Sequence, residues 1–221
     1  SKFGKISGYA LGSKFGAWKL SNRYVSNKES FDVDETALTS ANLVCKTKVF
    51  DKVRFDENLF PGEDPKFIAD VKRAGFKIAY TPKFVLYHKR RSSLKQLIKQ
   101  IFNYGKVRPK KESFFETLKM PFFFIPSLFF IYVVLLIGSI LINPSITDNI
   151  VNTENFRLDN LGFLWFVPFF VYVLLTLLFA FNDSLKNNDL KSMLLLIPIY
   201  PTIHLSYGLG MIYGYLKKLK T

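Results

Sequence analysis

Ile131-Tyr132-Val133-Val134-Leu135-Leu136-Ile137-Gly138-Ser139-Ile140-Leu141-Ile142 lies inside a longer stretch, Met120 to Thr147, that holds no Asp, Glu, Lys or Arg. A helix needs about 20 apolar residues to cross the hydrocarbon of a bilayer, and soluble core helices rarely run that long without charge. Leu161 to Asn182 and Ser192 to Leu216 are free of the same four residues. The expected apolar segments are therefore about 120–142, 161–182 and 192–216. The first two read as membrane spans. The third carries Pro198, Pro201, His204 and several Ser, Tyr and Gly residues, so it reads as a kinked span or a re-entrant segment.

The chain of 221 residues is two chains in composition. Residues 1–118 are mixed and charged, whereas 119–221 are mostly Phe, Leu, Ile, Val and Tyr. The formal charge of +14 is concentrated in Lys89, Arg90, Arg91, Lys95, Lys99, Lys106, Arg108, Lys110 and Lys111, just before the first apolar segment. A basic run against a span favours anionic lipid and phosphate over nucleic acid. Lone Cys45 excludes an internal disulfide and a multi-cysteine zinc site, and fits a reducing compartment. Lys and Arg crowd up to Lys119, while 143–160 holds Asp148, Glu154 and Asp159 against Arg157. The charge rule then puts residues 1–118 on the cytoplasmic face of the cell membrane. It conflicts with strict alternation, which would leave Lys217, Lys218 and Lys220 outside. The chain opens on Ser1, with no signal peptide, and residues 1–118 are short for an enzyme domain. An amino-terminal portion is expected to precede them.

Residues 1–118 read as α/β. Ala41 to Cys45, Phe76 to Tyr80 and Phe84 to Tyr87 read as strands. Thr47 caps a helical turn over Lys48 to Val53. Asp64 reads as an N-cap with Pro65 at the first helical position, Phe67, Ile68 and Val71 as the apolar face, and Gly75 as the stop. Leu94, Leu97, Ile98, Ile101 and Phe102 recur at helical spacing, with Lys95, Lys99 and Lys106 largely off that stripe. Residues 92–104 thus form a basic amphipathic helix, either lying in the headgroup layer or packed on its own domain.

Two groups could carry chemistry. Glu63-Asp64 at a helix start gives a rigidly held carboxylate able to take a proton from a hydroxyl; the same Asp is also suited to capping. Gln100, Tyr104 and Arg108 fall on one helix face at spacings of four, and Arg makes forked contacts with phosphate oxygens. Arg108 also fits a solvated basic run. Gly210-Met211-Ile212-Tyr213-Gly214 lets helices approach closely and reads as intramolecular packing.

From about Ser13 to Arg108, a little under half of the chain, the sequence resembles the carboxy-terminal half of a family 2 glycosyltransferase domain of GT-A type, in the membrane-bound branch that includes succinoglycan-type enzymes. The elements come in order: Ser13-Lys14-Phe15-Gly16; Ala41-Asn42-Leu43-Val44-Cys45-Lys46; Phe55-Asp56-Glu57 followed by Gly62-Glu63-Asp64; Ala74-Gly75-Phe76-Lys77-Ile78 and Pro82; then His88 and Gln100-x-x-x-Tyr104-Gly105-x-x-Arg108.

That resemblance implies a fold class and roles. The fold would be a partial GT-A, Rossmann-like nucleotide-diphospho-sugar transferase domain followed by transmembrane α-helices. Asp64 would be the general base for the acceptor hydroxyl, with Glu63 supporting it. Arg108, Gln100 and Tyr104 would steady the diphosphate leaving group, Asn42 would lie on the acceptor side, and His88 would approach the metal or the diphosphate. The activity would be inverting transfer of a sugar from a nucleotide-sugar donor to a polysaccharide or lipid-linked acceptor, assisted by a divalent metal, Mg or Mn. Partners would be that donor, a glycan or lipid-linked acceptor and membrane lipids, with no nucleic acid. Asp32-Val33-Asp34 is not the family's metal-binding Asp-x-Asp: it lies too close to Glu63 and no apolar strand precedes it. The metal would be bound mainly by a region outside this chain. The rival expectation is a non-catalytic membrane scaffold or assembly subunit with a degenerate, truncated transferase domain.

Overall fold

A computed structural model describes residues 1–86, 90–142 and 164–220. Its helices are α1 (Lys2–Gly12), α2 (Lys14–Ala17), α3 (Glu63–Arg73), α4 (Leu94–Lys111), α5 (Phe114–Leu118), α6 (Ile125–Ile142), α7 (Val167–Lys186) and α8 (Met193–Lys218).

The expected α/β, Rossmann-like architecture is not what the chain adopts. Among the described residues there is no strand and no sheet. Ser30 and Tyr80 form one isolated antiparallel bridge, and Val33 N–H reaches the Ile78 carbonyl at 3.0 Å. The expected strand at Ala41–Cys45 opens instead as a 3-10 turn, Ser40–Asn42. Phe84 to Leu86 is non-helical and joins no ladder, and Tyr87 lies outside the described residues. The physical reason is visible at Ile78. Alternation along Phe76, Ile78 and Tyr80 turns one face inward, and Ile78 is buried with Val49, Val53, Phe67, Ile68 and Val71. A single extended segment laid on a helix shows the same period of two as a half-buried strand.

Around α3, Phe55 stacks on Phe67 at 4.1 Å between ring centres and Phe50 adds a second stack at 5.6 Å. The larger core joins the first residues of the chain to the last helices: Ile6, Ala10 and Leu11 of α1, Leu97 and Ile101 of α4, Ala180 of α7, and Leu196, Ile199, Tyr200 and Ile203 of α8. The Ser1 hydroxyl caps α1 and the Ser13 hydroxyl caps α2, which lets the chain fold back so tightly that a Cβ on Gly16 would stand 2.0 Å from the Ala10 carbonyl oxygen.

Three helices among the described residues are long and apolar enough to cross a membrane: Pro121–Ile142, Val167–Lys186 and Leu190–Lys218. The third is unlike the others. In its most apolar window 44% is buried inside the protein, against 11% and 22% for the first two. Basic helix α4 is seated along it through glycines. A Cβ on Gly105 would lie 2.2 Å from the Tyr207 carbonyl oxygen, one on Gly210 would lie 2.1 Å from that of Phe102, and one on Gly214 would lie 2.3 Å from that of Lys106. Small residues four apart put backbone against backbone. Gly208 does the same toward Pro126 at the start of α6. Helix α8 stays continuous through Pro198 and Pro201, with the Thr202 hydroxyl bonded to the Pro198 carbonyl at 2.8 Å. At its far end Lys218 donates to the Pro109 carbonyl at 2.7 Å, so the end of α8 and the end of α4 share a side.

Candidate functional site

Helix α3 begins two residues earlier than expected, at Glu63 rather than Pro65. Gly62, at φ 118°, is its N-cap, a left-handed conformation that glycine adopts without a Cβ penalty. Asp64 is therefore not the cap but the second residue of the first turn, and Pro65 follows inside the helix. This frees its carboxylate from the helix amides. Oδ2 accepts from the Ser40 amide and hydroxyl, each at 3.3 Å, and the other oxygen takes no hydrogen bond from the described residues. A carboxylate in a first turn is favoured by the helix dipole. Glu63, beside it, has Oε2 buried without a partner, at a cost of about 1–3 kcal/mol for such a group.

The start of α3 abuts α4. A Cβ on Gly62 would lie 3.2 Å from Val107, midway along the face that carries Tyr104 and Arg108. Gln100 donates to the Tyr104 hydroxyl at 2.8 Å, one turn apart as the spacing dictates. Arg108 is turned elsewhere. It is buried, its Nη2 donates to Glu112 at 2.6 Å, and its guanidinium lies 3.5 Å above the centre of the Phe123 ring. Its Nε is buried and unpartnered. Lys111 joins the same network, 3.1 Å from Glu112 and 3.6 Å from Glu35, and Arg23 donates to the Glu35 carbonyl at 2.7 Å. Burial holds the Lys111 amine below the ordinary lysine range, with Glu112 and Glu35 opposing and Arg108 assisting.

Tyr24 ties these pieces together. Burial pushes its phenol up to about 12; Tyr104 and Asp64 push the same way, while Arg23 and Arg90 pull it down. Of these groups Arg90 is in direct contact, its guanidinium 5.0 Å over the Tyr24 ring. Asn42, on the turn next to Ser40, donates to the Phe84 carbonyl at 2.6 Å. His88 lies outside the described residues. The structure therefore sets the start of α3 against α4, links Gln100 to Tyr104 and withdraws Arg108 into an ion pair. Arg23, Tyr24, Ser40 and Arg90 were not anticipated. Their only common sequence signal is polarity, and the long-range fold decides their use.

A divalent metal finds no ready ligand set. Among the described residues no three His, Cys, Asp or Glu side chains converge on a metal position. Asp34 is occupied by the amide and hydroxyl of Thr36 at 2.8 and 2.5 Å, and Asp32 pairs with Lys72 at 3.0 Å.

Comparison with known proteins finds no matching family, no matching curated protein and no matching solved structure.

Proposed function

We propose that this chain is the membrane-associated part of a glycosyltransferase, in which Asp64 takes the proton from an acceptor hydroxyl as sugar is transferred to it from a nucleotide-sugar donor. One observation carries the reading. The Asp64 carboxylate is released from capping by Gly62, rests on Ser40 through one oxygen, and keeps the other free of hydrogen bonds from the described residues. A general base must reach the hydroxyl it deprotonates, and a rigid first turn holds it there. The ordered resemblance from Ser13 to Arg108 supplies the reaction class, and the basic run before α6 supports a cytoplasmic placement.

A second reading, a non-catalytic membrane scaffold, is favoured by Arg108. It is buried, paired with Glu112 and stacked on Phe123 rather than held out toward a diphosphate.

Membranes carrying the natural protein, with Asp64 or with Asp64→Asn, decide between them when supplied with radiolabelled nucleotide sugars. Loss of label from the lipid and glycan fractions, with nucleotide-sugar binding kept, is expected. Transfer undiminished by the substitution, or absent from both proteins, overturns the catalytic proposal and leaves the scaffold.

A further inference from the structure

A cleft of about 330 Å³ opens between α1 and the end of α7, lined by Lys5, Tyr9, Tyr24, Arg90, Asp183 and Lys186 among others. That volume is at the lower end for small-ligand clefts, roughly 300–1,000 Å³. Its height is set by α7. The apolar run of that helix ends at Phe181 and gives way to Asn182, Asp183, Ser184 and Lys186. A membrane-length helix changes from apolar to charged where lipid phosphates lie.

Three cations face one carboxylate in the lining. Asp183 is buried, and its Oδ2 already accepts from the Tyr200 hydroxyl. Lys5 stands 3.7 Å from Asp189 and 5.6 Å over the Tyr9 ring. Arg90 and Lys186 have no hydrogen bond or ion pair with the described residues. Arg90 is nonetheless held, its guanidinium 5.0 Å over the Tyr24 ring, which fixes the fork and leaves its donors unused. The floor makes room for it: a Cβ on Gly8 would lie 2.9 Å from Arg90 Nε. Two carbonyls at the end of α7 are already satisfied. The Asp183 carbonyl is taken by Asn187 through both its amide N–H and its side chain, and the Ser184 carbonyl by the Asp189 N–H.

We propose that this cleft binds a phosphate monoester or diphosphate, with Arg90 and Lys186 holding its oxygens and Tyr24 orienting Arg90. The proposal concerns binding alone and stands whether or not Asp64 is a base. The ligand chemistry is shared by a lipid-borne phosphate and by free diphosphate, and the test separates them.

The 221-residue chain is placed in nanodiscs of phosphatidylcholine with a small fraction of phosphatidic acid, and retained phosphatidic acid is counted by native mass spectrometry. Replacing both cations, Arg90→Gln with Lys186→Gln, is expected to weaken retention about tenfold or more, as loss of two charge-assisted contacts should. A control with the same change of charge, Lys48→Gln with Lys77→Gln, is expected to leave it within about twofold, because those exposed charges lie in other segments of the chain and salt screens distant ones. Lys186→Gln alone gives an intermediate loss and serves if the double variant melts early. Inorganic diphosphate that displaces phosphatidic acid assigns the cleft to phosphate of either source; phosphatidic acid held against diphosphate, yet lost in the double variant, assigns it to a lipid-borne phosphate. Equal weakening in the two double variants, or none in either, overturns the proposal.

Discussion

Gly210 lies directly against the Phe102 carbonyl: a Cβ added to the glycine would stand 2.1 Å from that oxygen. The obstacle is backbone, which cannot rotate aside as a side chain does. Gly210→Ala is therefore expected to separate α4 from α8 and destabilise the protein by about 1–3 kcal/mol, the range for overpacking. Gly138, on α6, has nothing within 4 Å of the equivalent position. Gly138→Ala is expected to leave stability unchanged or slightly raised, since alanine is the better helix former. Thermal melting in detergent compares the two; equal melting would show that the contact does not hold the helices.

Tyr200 is fully buried and donates to buried Asp183 across the α7–α8 turn. Tyr200→Phe keeps the ring and removes the donor, stranding a carboxylate oxygen. The expected loss is about 1–3 kcal/mol. A double-mutant cycle with Asp183→Ala should show coupling, because the second change removes the stranded group. Strict additivity would mean the pair does not interact.

Lys111 gives stability a pH dependence with a definite sign. Its amine is held below the ordinary 10.5 mainly by burial. Between its folded value and 10.5 the unfolded chain binds more protons than the folded one, so stability rises with pH through that window. Tyr24 acts oppositely: folded at about 12 against an ordinary 10.0, it makes stability fall between those values. Melting temperature followed upward in pH, wild type against Lys111→Met, should therefore show a rise below 10.5 in the wild type that the variant lacks. Parallel curves would contradict it.

Asp64→Asn and Ser40→Ala touch a partly exposed contact at 3.3 Å and no helix cap. Each is expected to shift stability by no more than about 0.5 kcal/mol. A large loss of stability in Asp64→Asn would show that the carboxylate serves the fold.

The membrane-length helices were legible because charge-free runs leave few alternatives, and helix α3 was legible from Phe67, Ile68 and Val71. Its start was misplaced because Asp-Pro fits a cap equally well in sequence; only the left-handed Gly62 distinguishes them. The sheet was misread because Phe76, Ile78 and Tyr80 alternate in the same way whether the segment pairs with neighbours or lies on a helix. The site was half visible. The one-turn link of Gln100 to Tyr104 follows from local spacing. The pairing of Arg108 with Glu112 was equally local, but nothing in the spacing says whether a guanidinium turns toward a neighbouring carboxylate or outward. Contacts such as His204 Nε2 with the Phe15 carbonyl, at 2.8 Å, join residues 189 apart and leave no periodic trace.

Seating α4 on α8 by glycine against carbonyl also makes the pair a single lever. Neither helix can slide without lifting main chain off main chain. Any tilt imposed on α8 is therefore passed to α4, and Tyr104 moves with the pair rather than independently of it.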